Sequence, residues 1–433
     1  MKAPRSIRPA SAALLHSMQL TVALRSTVNK FSKATRVCMS LVPFLILGLW
    51  INPVYSLTES KFPAGSNVKD HDFFGSQVAT SGGLAVVGAP AGNPCDAKVY
   101  FYKQTQSGWI EQAKFTLPNP ANDALFFAES VAISETYAIV GASAYDGYGK
   151  SKAFIYHYNG SNWVLDQIIE PSNNFGQVFD NRFGQSVAIS GDLAIVGASD
   201  RAYIFKRSAT GWSEQKPFLT SGNSPSRRFG YAVSINGNYA IVGGNDALAP
   251  VVTPATTHIF FFDGVSWTNQ AILSPGNGRK GGTRQAVSIS GDYAIVGHTT
   301  ANFSTSYEGK AYIFVRNGTQ WMVQADLKST PGPSTRFGWS VSIGSKFAAV
   351  GDPCDNKVGA AYLFSHDGSP VAKINASDLV NNDFFGQSVG IDDTRIVVGA
   401  PHKSGPAGFY QGTTYGYLYF PAVVRPRIEF LLD

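Results

Sequence analysis

With 433 residues, the chain has room for two or three ordinary domains or for one closed array of repeats. Charged residues make up only 15%, aromatics 13%, and there are 44 glycines, a balance that suits many short strands joined by glycine turns. The net charge of +6 sits in the first 56 residues, which hold seven basic residues and no acidic one; the remainder has 28 basic (35 less 7) against 29 acidic residues, so its net of −1 removes the ground for a nucleic-acid partner.

The seven are Lys2, Arg5, Arg8, Arg25, Lys30, Lys33 and Arg36. They precede an uncharged run, Met39–Ile51, of 13 residues, where a membrane-spanning helix needs about 20. A basic segment, a short apolar core and small residues at Val54 and Ser56 read as an export signal cleaved near Ser56-Leu57. An organellar transit peptide, an uncleaved signal-anchor and a later start at Met18 are the alternatives. Residues 1–56 are therefore set apart from the fold, and the mature chain is expected to have no stable membrane span.

Past the leader, one stretch recurs. In Phe183–Ser199 (FGQSVAISGDLAIVGAS) an aromatic and a glycine precede SVAIS, a Gly-Asp turn and LAIVGA. The glycine closing each such run falls at Gly88, Gly141, Gly197, Gly243, Gly297, Gly351 and Gly399. Seven copies of about 50 residues, each with room for four short strands, predict a seven-bladed β-propeller spanning 57–424 with a tail at 425–433. Within a copy, turn-formers join the first two strands, a strong hairpin signal. The runs are apolar throughout because neighbouring blades cover both faces. The fourth strand opens on tryptophan in five copies (Trp109, Trp163, Trp212, Trp267, Trp321), each followed by a glutamine; packing against the next blade is the expected role. Copy seven is one strand short, and Leu57–Phe62 ahead of copy one is placed to complete it, closing the ring and removing two free edges.

These residues resemble the FG-GAP repeat family of integrin alpha-chain propellers and many exported bacterial proteins. Phe74-Gly75, Phe183-Gly184, Phe229-Gly230, Phe337-Gly338 and Phe385-Gly386 carry the first element. Gly88-Ala89-Pro90 and Gly399-Ala400-Pro401 carry the second in full. Copy two has Phe127-Ala128 and copy five Thr283-Arg284 in place of Phe-Gly. The family's calcium loop between strands one and two has no counterpart in turns such as SGD, where Asp192 and Asp292 each stand alone; the pattern is closer to the bacterial subtype, and neither metal nor cofactor is expected.

Chain direction puts the short turns on one face and the long links on the other, where recognition is expected. Charges near the Phe-Gly positions share that face. Arg182, Arg228, Arg284 and Arg336 would form an electropositive arc beside an acidic sector at Asp72 and Asp383, suited to an anionic sugar or an acidic protein loop; solvated, locally paired loop ends are the plainer reading. No histidine pair, nucleophile elbow or phosphate loop points to catalysis. Cys95 and Cys354 occupy similar loops in copies one and six and are expected to stay unpaired, because copy seven lies between those blades. Sequons stand at Asn159, Asn302, Asn317 and Asn375. The resulting expectation is a monomeric, secreted, cell-surface or periplasmic binding or adhesion module, with protein or glycan as partner. A structural part of an envelope assembly and a polysaccharide-active enzyme are the alternatives, as is membrane tethering by an uncleaved anchor.

Overall fold

The computed structural model describes residues 55–93, 96–118, 125–144, 150–172, 182–199, 201–218, 229–244, 256–274, 284–299, 309–329, 336–405 and 408–421. The leader before Tyr55, the tail at 425–433, Cys95, Arg228 and Asn302 lie outside them. Seven four-stranded antiparallel sheets follow one another along the chain. Six consist of consecutive strands. The seventh has the order Tyr55–Lys61, Thr413–Pro421, Arg395–Ala400, Ser388–Ile391, so the N-terminal strand completes the last blade as expected, beginning two residues earlier than the expected boundary at Leu57.

The first strand of each blade touches the first strand of the next, and that of blade seven (Ser388–Ile391) touches that of blade one (Gln77–Ser81), which closes the ring. Second strands such as Leu193–Gly197 are apolar because both faces meet a neighbour, and Ala194, Ile195 and Val196 are fully buried. The core is accordingly split into seven clusters, one between each pair of blades. The first joins Val86 and Phe101 of blade one with Phe127, Val140, Phe154 and Trp163 of blade two. Each fully buried valine or isoleucine contributes roughly 1.5–3 kcal/mol. The tryptophans that open the outer strands pack as expected: Trp109 stacks on Phe62 at 4.3 Å, and Trp163 on Phe101 at 4.4 Å. Their glutamines reach across blades, with Gln167 accepting from the Trp212 backbone N–H and Gln270 from the Trp321 indole.

The two sequence elements that mark each repeat meet at the junctions. In blade three the Gly184 N–H donates to the Gly197 carbonyl at 3.0 Å, folding the Phe-Gly corner onto its own second strand. That corner needs a left-handed backbone, with φ near +90° at Gly75, Gly184, Gly230, Gly338 and Gly386. The corner glycine's carbonyl then points into the preceding blade. There it accepts a serine hydroxyl (Ser130 to Gly184, Ser186 to Gly230, Ser340 to Gly386, Ser388 to Gly75, at 2.7–2.9 Å) and lies against the Gly-Ala-Pro glycine. A Cβ on Gly141, Gly197, Gly351 or Gly399 would come within 1.9–2.0 Å of that oxygen. The Phe of each corner is buried edge-on against a ring of its own third strand, as Phe183 is against Tyr203 at 5.3 Å. In short, one motif supplies a carbonyl and the other leaves room for it.

A candidate binding face at blades seven and one

Two of the charged residues singled out in the sequence prove to be internal. Asp72 is 2% exposed, and its Oδ2 accepts from Lys98 Nζ (2.8 Å) and from the Lys69 N–H (2.8 Å). Asp383 is also 2% exposed, and its Oδ2 accepts from Lys403 Nζ (3.1 Å) and from the Val380 N–H (2.8 Å). Each carboxylate ties a short turn ahead of the Phe-Gly corner to a lysine on the way into the third strand, Lys98 opening that strand and Lys403 preceding it. Withdrawn and neutralised, they form no acidic sector on the surface. Their role is local and structural, since losing either lysine would leave a buried charge uncompensated.

The arginines are distributed otherwise. Arg336 is half-buried, lies over the Trp339 ring at 4.9 Å and donates its backbone N–H to Asp352. Arg182 is half-buried on a left-handed backbone. Arg284 opens the first strand of blade five, paired through its backbone with Thr299. Arg182 and Arg336 stand immediately before their Phe-Gly pairs. Blades one and seven have aromatics there, in the twin sequences Asp72-Phe73-Phe74-Gly75 and Asp383-Phe384-Phe385-Gly386.

That doubling of phenylalanine is the sign that sequence reading passed over. Phe74 and Phe385 fill the buried corner position, so the preceding ring must point elsewhere. Phe73 and Phe384 have φ of 52° and 56°, and two residues earlier His71 and Asn382 are also left-handed. This backbone turns Phe73 and Phe384 toward the long-loop face, both partly exposed. His402 lies between them, 4.4 Å from Phe384 and 5.4 Å from Phe73. Tyr410 adds a ring nearly parallel to Phe73, 6.0 Å away, and sits 4.9 Å from His402 and 5.5 Å from His71. Tyr410 is 38% and Phe409 70% exposed.

The platform is held by backbone bonds. The N–H groups of His71, Phe73 and Phe74 donate to the carbonyls of Phe409, Tyr410 and Gln411 at 2.9–3.1 Å, so the last long link of blade seven runs alongside the segment leading into blade one. Gly412 seals that contact, because a Cβ there would meet the Phe74 carbonyl at 2.0 Å. Burial pulls the His402 imidazole below its ordinary value, with Asp383 opposing. The result is a preorganised aromatic and imidazole surface. Elsewhere, Cys354 is a half-buried free thiol that burial makes less acidic, and Asp192 and Asp292 pair with Arg207 and Arg316 on the opposite face. Among the described residues no helix is long and apolar enough to cross a membrane.

A family model for the FG-GAP repeat matches residues 176–208 and 369–418. Comparison with curated proteins gives no match. Among solved structures, the β-propeller domain of Cps50 (Swd1) from Myceliophteria thermophila superposes with a TM-score of 0.51 at 10% identity, over 83% of this chain and 99% of that one, and supports the fold. The polysaccharide lyase Uly1 (TM-score 0.48, 11% identity, 82% and 91% covered) and a functionally unknown protein from Desulfotomaculum acetoxidans DSM 771 (TM-score 0.47, 12% identity, 75% and 96% covered) are similar more distantly. With seven such blades, joined through Phe-Gly corners and the glycines that receive them, the chain belongs to the FG-GAP repeat β-propellers.

Proposed function

We propose that this propeller is an exported binding module that holds its ligand on the long-loop face, at the junction of blades seven and one. The observation that carries this reading is the set of outward rings, Phe73, Phe384 and Tyr410, each on a left-handed backbone. Such backbone is unfavourable for bulky side chains and is found most often where function holds it in place. A rigid scaffold presenting partly exposed aromatics beside unused polar groups is what recognition requires. Export rests on the composition of the leader.

The test is saturable binding of the mature protein to immobilised glycans and proteins. Phe384→Asn, which removes the ring but suits a left-handed residue, should weaken binding at least tenfold. Asp292→Asn on the opposite face should leave it unchanged. Stoichiometric recovery within an envelope assembly, with no ligand retained on either array, would replace this reading with a structural one. A second reading draws on one observation: Tyr410 stands between two imidazoles, a set of groups able to donate and accept protons. Release of shortened chains from a polysaccharide panel would make the protein an enzyme.

A further inference from the structure

We infer that the ligand of the blade seven and one platform is a carbohydrate, with a sugar ring stacked on Tyr410 and Phe73 and its hydroxyls met by His71 and His402. The inference rests on the binding-module reading and names its ligand class.

Charge is the first argument. Asp72 and Asp383 are withdrawn beneath the surface and neutralised by Lys98 and Lys403, themselves only 6% and 8% exposed. The rings themselves carry no charge, and the exposed Lys69 and Asp70 beside them are of opposite sign. This gives no single-sign patch to an acidic peptide, a basic peptide or a phosphate, whose recognition relies on opposite charge. Size is the second. A standard protein interface buries about 800 Å² on each partner, whereas among the described residues the well-exposed large apolar ones near these corners are Phe409, Tyr410 and Val380. That suffices for one or two sugar rings.

The third argument is the pairing of chemistries. A pyranose has one face of C–H groups and an equatorial belt of hydroxyls. It therefore calls for a flat aromatic surface next to groups that both donate and accept hydrogen bonds. Tyr410 and Phe73 are inclined by 17°, so their faces share a direction. Among the described residues the Tyr410 hydroxyl and both imidazoles have no hydrogen-bond partner, which leaves three donor–acceptor groups around the rings. Rigidity is the fourth, since weak stacking yields useful affinity only when the site is already formed.

The experiment measures binding of the full mature protein to cellohexaose, mannohexaose, xylohexaose and galacturonan oligosaccharides, and to an array of deglycosylated proteins. Phe73→Asn and Tyr410→Asn keep the left-handed backbone comfortable while removing the rings. Each is expected to weaken binding to the retained oligosaccharide tenfold or more, with unchanged melting. Phe73→Tyr, which keeps a ring, should restore most of it. Retention of an oligosaccharide at undiminished strength by both Asn variants would overturn the inference while leaving a binding module. So would retention of a deglycosylated protein, lost in those same variants, with no oligosaccharide held. Absence of binding on both arrays would overturn the inference and the reading beneath it together.

Discussion

Blades three and four meet differently from blades four and five, and the difference shows what the repeat motif does. At the first junction Ser186 donates to the Gly230 carbonyl at 2.8 Å, and that same oxygen fills the place where Gly197 would carry a Cβ. At the second there is no Phe-Gly corner. Blade five begins instead as a continuous strand, with Arg284, Gln285 and Ala286 paired to Thr299, His298 and Gly297. The nearest group to a Cβ on Gly243 is the Gln285 side-chain oxygen at 3.0 Å. Blade four also has Ala232 where blade three has Ser186, so the hydroxyl is absent at the junction that lacks its acceptor. Backbone-to-side-chain bonds lower in the strands remain, Ile289 N–H to Ser234 and Gly291 N–H to Asn236, as blades three and four have Gly237 N–H to Ser190 in addition to their corner. The corner carbonyl is thus a junction device to which a serine bond is added at four junctions, whereas junction five–six keeps the Gly338 carbonyl against Gly297 with Ala286 in the serine's place.

The largest expected effect breaks this device on one side only. Gly197→Ala places a methyl 2.0 Å from a backbone oxygen, which can yield only if blades three and four separate. It should cost about 3 kcal/mol or more. Gly243→Ala meets a flexible glutamine tip and should cost under about 1 kcal/mol. Equal losses in urea unfolding would show that the carbonyl contact is not what sets the two junctions apart.

A smaller effect comes from the degenerate second motif of blade six, Gly351-Asp352-Pro353. Asp352 is fully buried; its Oδ1 accepts from the Arg336 and Cys354 N–H groups, while Oδ2 has no partner among the described residues. Burial raises this carboxyl to about 7, with Asp355 adding to the rise. The unfolded chain titrates near the ordinary value of 3.8, so between the two the native state holds a proton that the unfolded state has lost. The group's favourable contribution is therefore complete below the lower value and is lost as pH rises through about 7. Asp352→Asn keeps the Oδ1 acceptor and removes the titration. At about 1.4 kcal/mol per pKa unit, the rise from 3.8 to about 7 corresponds to about 4 kcal/mol at pH 8. The unpartnered amide N–H group of the asparagine offsets about 2 kcal/mol of this, so the variant should stabilise by about 2 kcal/mol there, with the gain shrinking toward pH 5. A gain independent of pH would refute the titration, as would a loss at pH 8.

Much of this architecture could be read from residue spacing. Seven regular intervals set the blade number, and a strand missing at one end with a spare at the other set the closure. Both are properties of order along the chain. The candidate face was less accessible. Asp72 and Asp383 looked like surface charges because their neutralising partners, Lys98 and Lys403, lie 26 and 20 residues away and converge only through the loops. Phe73 and Phe384 did not stand out beside the Phe-Gly pairs, because alternation assumes extended backbone and a φ of 52° or 56° reverses the direction of the side chain. Tyr410 and His402 reach Phe73 only across the closure of the ring, a contact between opposite ends of the folded chain.

The smallest expected effect concerns the junction that keeps the contact without the glycine. Blade two has Phe127-Ala128, yet Ala128 adopts φ of 62° and presents its carbonyl 2.5 Å from a Cβ on Gly88, much as the corner glycines do. Alanine pays for that geometry with roughly 1–2 kcal/mol of left-handed strain, which Ala128→Gly would relieve. Against this, the methyl is fully buried in the cluster with Phe127 and Phe154, and its removal costs about 0.8 kcal/mol. The freer unfolded chain costs a further 0.4–1 kcal/mol or so. The opposing effects nearly cancel, so Ala128→Gly should leave the urea midpoint within the equivalent of about 0.5 kcal/mol of the parent. Gly184→Ala is the reciprocal change and should behave quite differently. Its φ is 94°, beyond where alanine settles, and its Cβ would meet the Lys152 carbonyl at 2.6 Å and the Ala142 nitrogen at 2.9 Å. A loss of about 2 kcal/mol or more on Ala128→Gly would mean that the methyl, and not the carbonyl it positions, holds blades one and two together. Junction one–two would then group with four–five, as a contact made by side chains.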